Sequence, residues 1–450
     1  MKVYITILLV GTIIICFFSK VEPFITWKKS FFSNRNFYIF TLLIIGLLSW
    51  PVDVEMHAAS FSSDSQLGMK RYLRIVIFLI LFGTNLLQIL KLKIPKSKLL
   101  LYYFLYFLFC LASSTYSPFP QESMWKSFEL LVYMSWTAVV IQKSIIQQTP
   151  HNLLYGTMYL LFALEIFGVV SMVLFPDVAF RISESGKDVG SSTGGSIIPY
   201  VNANTLTQIG GTVFLVLFLY MLDKKQYRIP VVLATLISFI VMILSHSRTS
   251  IFATAILLCL LLIKDHKKFF VFSVPVIFLL VAYGSTQFVV DYMSRGQSSK
   301  ELMSMTGRAW RWEIGWDVFL NNPWFGTGYY SGHKAVLSGE IKHLSTLDNT
   351  YLDSLVDIGI LGTSWLFIFH LYLLYKVIIF SLQTLKCSRT SEKTIHNIPL
   401  IIFSFLTFRT MTGPSFHILN MNLHLALTCV AFLEAHLYLK KRLRVRTGSQ

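Results

Sequence analysis

Residues 229–263 read IPVVLATLISFIVMILSHSRTSIFATAILLCLLLI. Two apolar runs, 229–246 and 249–263, meet at the turn Ser245-His-Ser-Arg-Thr-Ser250 with almost no loop between them. Helices satisfy their own backbone hydrogen bonds, which is what a bilayer demands of a spanning segment. Working outward, comparable runs lie near 3–18, 37–50, 72–90, 99–113, 125–146, 152–175, 203–222, 269–290, 353–380, 395–412 and 418–439. Hydrophobic residues make up 54% of the 450 and charged residues only 14%, where a soluble domain carries about a quarter charged. The expected fold is all-α, a polytopic membrane protein with roughly 12–13 transmembrane helices and one long external loop.

The formal net charge of +17 would suggest nucleic acid in a soluble protein. Here the basic clusters fall between spans, at Lys20–Arg35, Lys91–Lys98, Lys143, Lys224–Arg228, Lys264–Lys268, Lys386–Lys393 and Lys440–Arg446. Every second connection is basic, which places those loops and the C-terminus in the cytoplasm and the N-terminus outside. No basic aromatic domain exists to hold nucleic acid, and the charge is best matched to the lipid bilayer. Cys16, Cys110, Cys259, Cys387 and Cys429 form no C-x-x-C pair, so neither a disulfide framework nor a metal site is expected. The first apolar run lacks a small-residue cleavage motif and reads as a retained span. No internal repeat is visible, which weighs against an inverted-repeat transporter.

The chain then divides into N-terminal membrane helices (1–175), central membrane helices with a Gly-rich external loop and the Ser-Arg-Thr turn (176–290), a long external loop (291–350), and C-terminal membrane helices with a basic cytoplasmic tail (351–450). The polar residues that could do chemistry collect in the external connections. Arg248 sits at a helix junction where a guanidinium is costly unless paired or hydrated. It either snorkels to headgroups or faces a polar cavity that holds an anion, and its place outside, against the positive-inside trend, favours the cavity. Thr306-Gly-Arg308-Ala-Trp-Arg311-Trp312 opens a helix expected to run to Leu320, with Thr306 as N-cap and Asn322-Pro323 as the stop. Arg308 and Arg311 share a face, and Trp312, Trp316 and Phe319 form an apolar stripe at helical spacing. Asp348 and Asn349 stand just before an apolar helix. Either one caps it, or Asp348 or the nearby His343 serves as a general base toward a hydroxyl.

Together these segments resemble the O-antigen ligase and polymerase superfamily of bacterial cell-envelope glycan enzymes. The resemblance rests on Asn202-Ala-Asn204 after a Gly-rich loop, Ser247-Arg248-Thr249, Gly307-Arg308 through Trp312, Asn322-Pro323-Trp-Phe-Gly326-Thr-Gly328-Tyr, and Asp348-Asn349-Thr-Tyr-Leu through Gly359-Ile-Leu-Gly362. It covers about residues 177–365. It implies a C-type glycosyltransferase-like fold, no cofactor and no metal. It also implies a multi-pass protein of the bacterial cytoplasmic membrane that acts on an undecaprenyl diphosphate-linked oligosaccharide at the outer face. A chain-length regulator and a flippase of the same pathway are the implied partners.

On that resemblance Arg248 and Arg308 stabilise the diphosphate leaving group, with Arg311 and Arg409 as further candidates and Asn202, Asn204, Asn349 and His343 as substrate-binding residues. The family's ligases carry a histidine directly before the asparagine of the last motif. Asp348 occupies that position here, which tilts the resemblance toward a polymerase joining repeat units and makes Asp348 the candidate base. A ligase passing finished glycan to a lipid or protein is the alternative. A flippase would line both leaflets with charge, whereas these arginines gather on one side.

Overall fold

A computed structural model describes residues 2–33, 67–91, 97–181, 193–194, 201–224, 228–265, 308–334, 346–383, 390–413, 415–418 and 420–446. Its helices are α1 (Lys2–Phe18), α2 (Phe24–Ser33), α3 (Leu67–Lys91), α4 (Lys98–Ser113), α5 (Pro120–Gln147), α6 (His151–Leu174), α7 (Pro176–Ala179), α8 (Ala203–Lys224), α9 (Ile229–Ser245), α10 (Arg248–Asp265), α11 (Arg308–Asn321), α12 (Thr350–Gln383), α13 (Thr390–Thr410) and α14 (Met421–Arg446). Two-residue strands, β1 (Phe180–Arg181) and β2 (Thr193–Gly194), pair antiparallel in the segment expected to be a Gly-rich loop.

Among the described residues six helices are long and apolar enough to cross a membrane: α3, α5, α6, α8, α12 and α14. Four shorter apolar helices, α1, α4, α9 and α10, accompany them. The run expected at 395–412 is α13, which carries Pro399 inside it. The runs expected at 37–50 and 269–290 lie outside the described residues. The fold is therefore the expected all-α, multi-pass membrane protein.

The chain folds into two compact units, each made of two separate stretches. The first comprises Met1–Lys28 and Met158–Trp310, the second Lys29–Thr157 and Arg311–Gln450. In the first, α8 packs against both α9 and α10. In the second, α12 packs on α4 and α13, while α14 packs on α5 and α13. The reason is visible in α4, where Leu99, Tyr103, Tyr106, Phe107 and Cys110 are buried at the spacing of one helical face. Ser97 caps that helix by accepting the Leu100 N–H at 3.2 Å.

Candidate active site

Within the second unit, α11 lies against the segment that leads into α12. Trp312 and Phe319 pack on Leu347, Leu352 and Val356. Gly315 makes this close approach possible, since a Cβ there would stand 2.7 Å from Leu347 Cδ1. Trp312 Nε1 donates to the Leu347 carbonyl at 2.8 Å. The expected stripe of Trp312, Trp316 and Phe319 is thus divided: Trp312 and Phe319 face inward, while Trp316 is 49% exposed. At about 100° per residue the three positions i, i+4 and i+7 lie within about 60°, with Trp316 at the edge away from Phe319, and the packed seam takes the Trp312–Phe319 side. The helix itself, Arg308–Asn321, matches the expected span, and its expected cap Thr306 lies outside the described residues.

The Asp348-Asn349 step has two distinct roles. Asn349 Oδ1 accepts the N–H groups of Tyr351 at 3.1 Å and Leu352 at 3.2 Å, so Asn349 caps α12. Asp348 adopts a left-handed φ of 56°. That turn directs its carboxylate to Arg311, whose Nη1 lies 2.9 Å from Asp348 Oδ2, with both side chains partly exposed. Thr346 Oγ1 donates to Asp348 Oδ1 at 3.2 Å.

Ten residues further on, α12 breaks. Gly359 has φ 63° and ψ −172°, outside helical geometry. The break frees the carbonyls of Val356 and Asp357, and the glycine-punctuated turn after α11 fills the gap. Thr327 N–H donates to Val356 O at 2.8 Å, Gly328 N–H to Asp357 O at 2.7 Å, and Ile360 N–H to Pro323 O at 2.8 Å. The expected turn motif and the expected helix-start motif are therefore two halves of one joint.

Asp357 fastens that joint from within. Its Oδ2 accepts the Tyr330 N–H at 2.8 Å, and its Oδ1 accepts the His333 N–H at 3.0 Å and lies 2.9 Å from His333 Nδ1. Both side chains are buried. Burial works against a charged His333, but the Asp357 carboxylate bonded to it outweighs burial and holds the imidazole up at about 9. Tyr330 lies beneath two cations, with Lys334 Nζ 4.0 Å and Lys126 Nζ 4.7 Å from its ring centroid.

One helical turn before Asp357, Asp353 makes the companion arrangement. Its Oδ1 accepts the Leu347 N–H at 2.9 Å, and its Oδ2 stands 3.4 Å from His417 Nε2. His417 comes from the segment between α13 and α14, and its carbonyl accepts the hydroxyls of Tyr329 and, at 3.3 Å, Tyr106. The Thr350 hydroxyl anchors the same segment by donating to Gly413 O at 2.8 Å and accepting the Ser415 N–H at 2.9 Å. Burial, aided by the neighbouring His333 charge, pushes the His417 imidazole well below its ordinary value. Two buried acids and two buried histidines thus form one cluster directly behind the Leu347–Asn349 segment.

The other expected residues are distributed as follows. Arg248 opens α10, and Arg308 opens α11; within the first unit they lie close enough for Arg248 to feel the Arg308 charge. Asn202 caps α8 by accepting the Thr205 N–H at 2.8 Å, and Asn204 is partly buried in the first turn of that helix. Arg409 is buried in the last turn of α13. His343 lies outside the described residues. Sequence reading passed over His333, His417, Asp353 and Asp357 as site residues. The available signal was a pair of carboxylates four apart inside an otherwise apolar helix, since an acid in such a place is expensive unless paired. Among the described residues no group of His, Cys, Asp and Glu is arranged to hold a metal ion.

The chain was compared with known proteins. The family described as O-antigen ligase matches over residues 233–367. No curated protein matches. The matched stretch runs from α9 through Arg248, α11 and the Asp348-Asn349 cap past the Gly359 break, and it supports the O-antigen ligase and polymerase superfamily that the motifs resemble.

Proposed function

We propose that the chain is a polysaccharide repeat-unit polymerase. It moves a growing glycan from an undecaprenyl diphosphate donor to a sugar hydroxyl on the outer face of the cytoplasmic membrane. The observation that carries this reading is the match to the O-antigen ligase family over residues 233–367, a stretch that contains Arg248, Arg308 and Asp348. Guanidinium groups offer planar, bidentate donors that suit a ligand with two negative charges. A diphosphate has that charge, and its leaving oxygen gains more as the glycosidic bond breaks, so fixed guanidiniums favour the transition state over the ground state.

The acceptor hydroxyl must lose a proton as its oxygen attacks the anomeric carbon. Asp348 is the base in this reading: it is partly exposed, oriented by Arg311 and Thr346, and relieved of capping by Asn349. The reaction is a single displacement. The acceptor O–H bond and the donor anomeric C–O bond break, the new C–O bond forms, the proton passes to Asp348 and the lipid diphosphate departs. Inversion at the anomeric carbon follows. An aspartate where the ligases carry histidine favours polymerase over ligase.

The test is the size distribution of lipid-linked and surface glycan in cells lacking the gene, complemented with the wild type or with Arg308→Ala. Single lipid-linked repeat units should accumulate without the gene and with Arg308→Ala, and long chains should return with the wild type. Long chains stranded on the lipid would identify a ligase. Repeat units trapped on the cytoplasmic face would identify a flippase and overturn both enzymatic readings.

A further inference from the structure

The cluster behind the candidate base contains more titratable groups than a buried site can hold charged. Asp357 and His333 form an ion pair of no net charge through two contacts to Oδ1, and the Tyr330 N–H donates to Oδ2 of the same carboxylate. Asp353 and His417 remain. Both are buried, at 0% exposure. Asp353 Oδ2 has no hydrogen-bond partner, and neither has His417 Nδ1 or Nε2. Yet Asp353 Oδ2 and His417 Nε2 stand only 3.4 Å apart. A bare carboxylate oxygen and a bare ring nitrogen facing each other in a buried site would leave two polar atoms unsatisfied.

One proton resolves both. Placed on Asp353 Oδ2, it makes that oxygen a donor to His417 Nε2, while Oδ1 keeps the Leu347 N–H. The alternatives put more charge in the site: a neutral His417 with its proton on Nε2 leaves Asp353 ionised one turn from Asp357, and an imidazolium puts a second cation beside charged His333, whose ring centroid lies 6.4 Å away. The other groups facing the pair do not compensate it. They are Asp357 on the same helix, already paired with His333, Asp348 across Leu347, already paired with Arg311, and the hydroxyls of Tyr106 and Tyr329, both committed to the His417 carbonyl.

We propose that Asp353 is held as a neutral carboxylic acid donating to His417, and that in this state it positions the Leu347–Asp348 segment for proton abstraction by Asp348. The second half rests on the reading of Asp348 as the base; the first half does not. When Asp353 loses its proton, a new negative charge appears one turn from Asp357 and beside the candidate base, and the His417 contact is lost. Asp353 is a positioning residue with a built-in alkaline limit, since it touches the base segment and no reacting atom.

The experiment uses infrared spectroscopy on the full-length protein in lipid nanodiscs, comparing wild type with Asp353→Asn at neutral pH. The expected difference is one protonated-carboxyl C=O band present in the wild type and missing in the variant. In His417→Gln, which keeps Asp353 and tests the pair should Asp353→Asn fail to fold, the band should shift in frequency as its acceptor changes. Spectra without that band, or a band indifferent to both substitutions, would overturn the assignment. Glycan transfer against pH then tests the link to catalysis: the alkaline limb should move upward by about one pH unit or more in Asp353→Asn. A limb that stays in place would overturn the positioning role. A wild-type protein that transfers no glycan sinks the polymerase reading instead, and the infrared band still decides where the proton sits.

Discussion

Asn349 gives its side-chain oxygen to the amides of Tyr351 and Leu352, and Asp348, one residue earlier, turns its carboxylate to Arg311. The sequence left open which of the two caps the helix, because both residue types are good N-caps. The left-handed φ of Asp348 decides it, by directing that side chain away from the helix start. Two substitutions separate the roles. Asn349→Ala removes a cap and should cost about 1 kcal/mol, read as a lowered melting temperature of the protein in nanodiscs. Asp348→Asn should leave the melting temperature nearly unchanged, because asparagine tolerates the left-handed region as well as aspartate does. Its transfer rate should fall by about 10²- to 10⁴-fold, the usual worth of a general base. A full rate in Asp348→Asn would move the base elsewhere, with His343 the next residue to test.

At the scale of elements, the organising contact is the turn 322–333 set into the break of α12. Hydropathy reads 353–380 as one apolar run and sees no break. The break depends on a partner thirty residues upstream, so no local pattern reports it. The glycines were legible as turn markers, but what they turn around was not. Gly326 at φ 71° leaves its Cα against the Asp357 carbonyl group, where a Cβ would stand 2.5 Å from the Asp357 carbonyl carbon. Gly359 meets backbone too: a Cβ would lie 2.3 Å from Trp324 C and O, at a φ that L residues rarely adopt. Gly359→Ala must therefore undock the turn, and should cost more than about 2 kcal/mol, seen as loss of folded protein from the membrane fraction. Gly362→Ala is the control. Its Cβ would press on the flexible Ile358 side chain, so the protein should remain in the membrane with a smaller loss. Equal damage from both would show that the break carries no special strain.

For the whole molecule, the membrane fold was legible because the bilayer imposes long apolar helices that composition alone betrays. The buried polar cluster was not, because hydropathy averages away two carboxylates in an apolar helix, and their histidine partners come from segments before α12 and after α13. That cluster makes global stability depend on pH, with a sign fixed by His333. Its imidazole titrates near 6.5 when unfolded and is held up at about 9 when folded, with burial opposing and the Asp357 carboxylate prevailing. A group with a raised folded value binds its proton more tightly in the native state. Its contribution is fully present below the unfolded value and is lost as pH rises through the folded one. The contribution is on the order of 3 kcal/mol, since each pH unit of displacement is worth about 1.4 kcal/mol. The wild-type melting temperature should therefore fall progressively from about pH 6.5 to about pH 9 and level off above that. His333→Gln keeps a polar side chain but cannot take up the proton. It should melt lower than the wild type at acidic and neutral pH, and the two curves should converge above about pH 9. Parallel curves across that range would show that the His333–Asp357 pair carries no proton-linked stability, and that its hydrogen bonds alone hold the turn to α12.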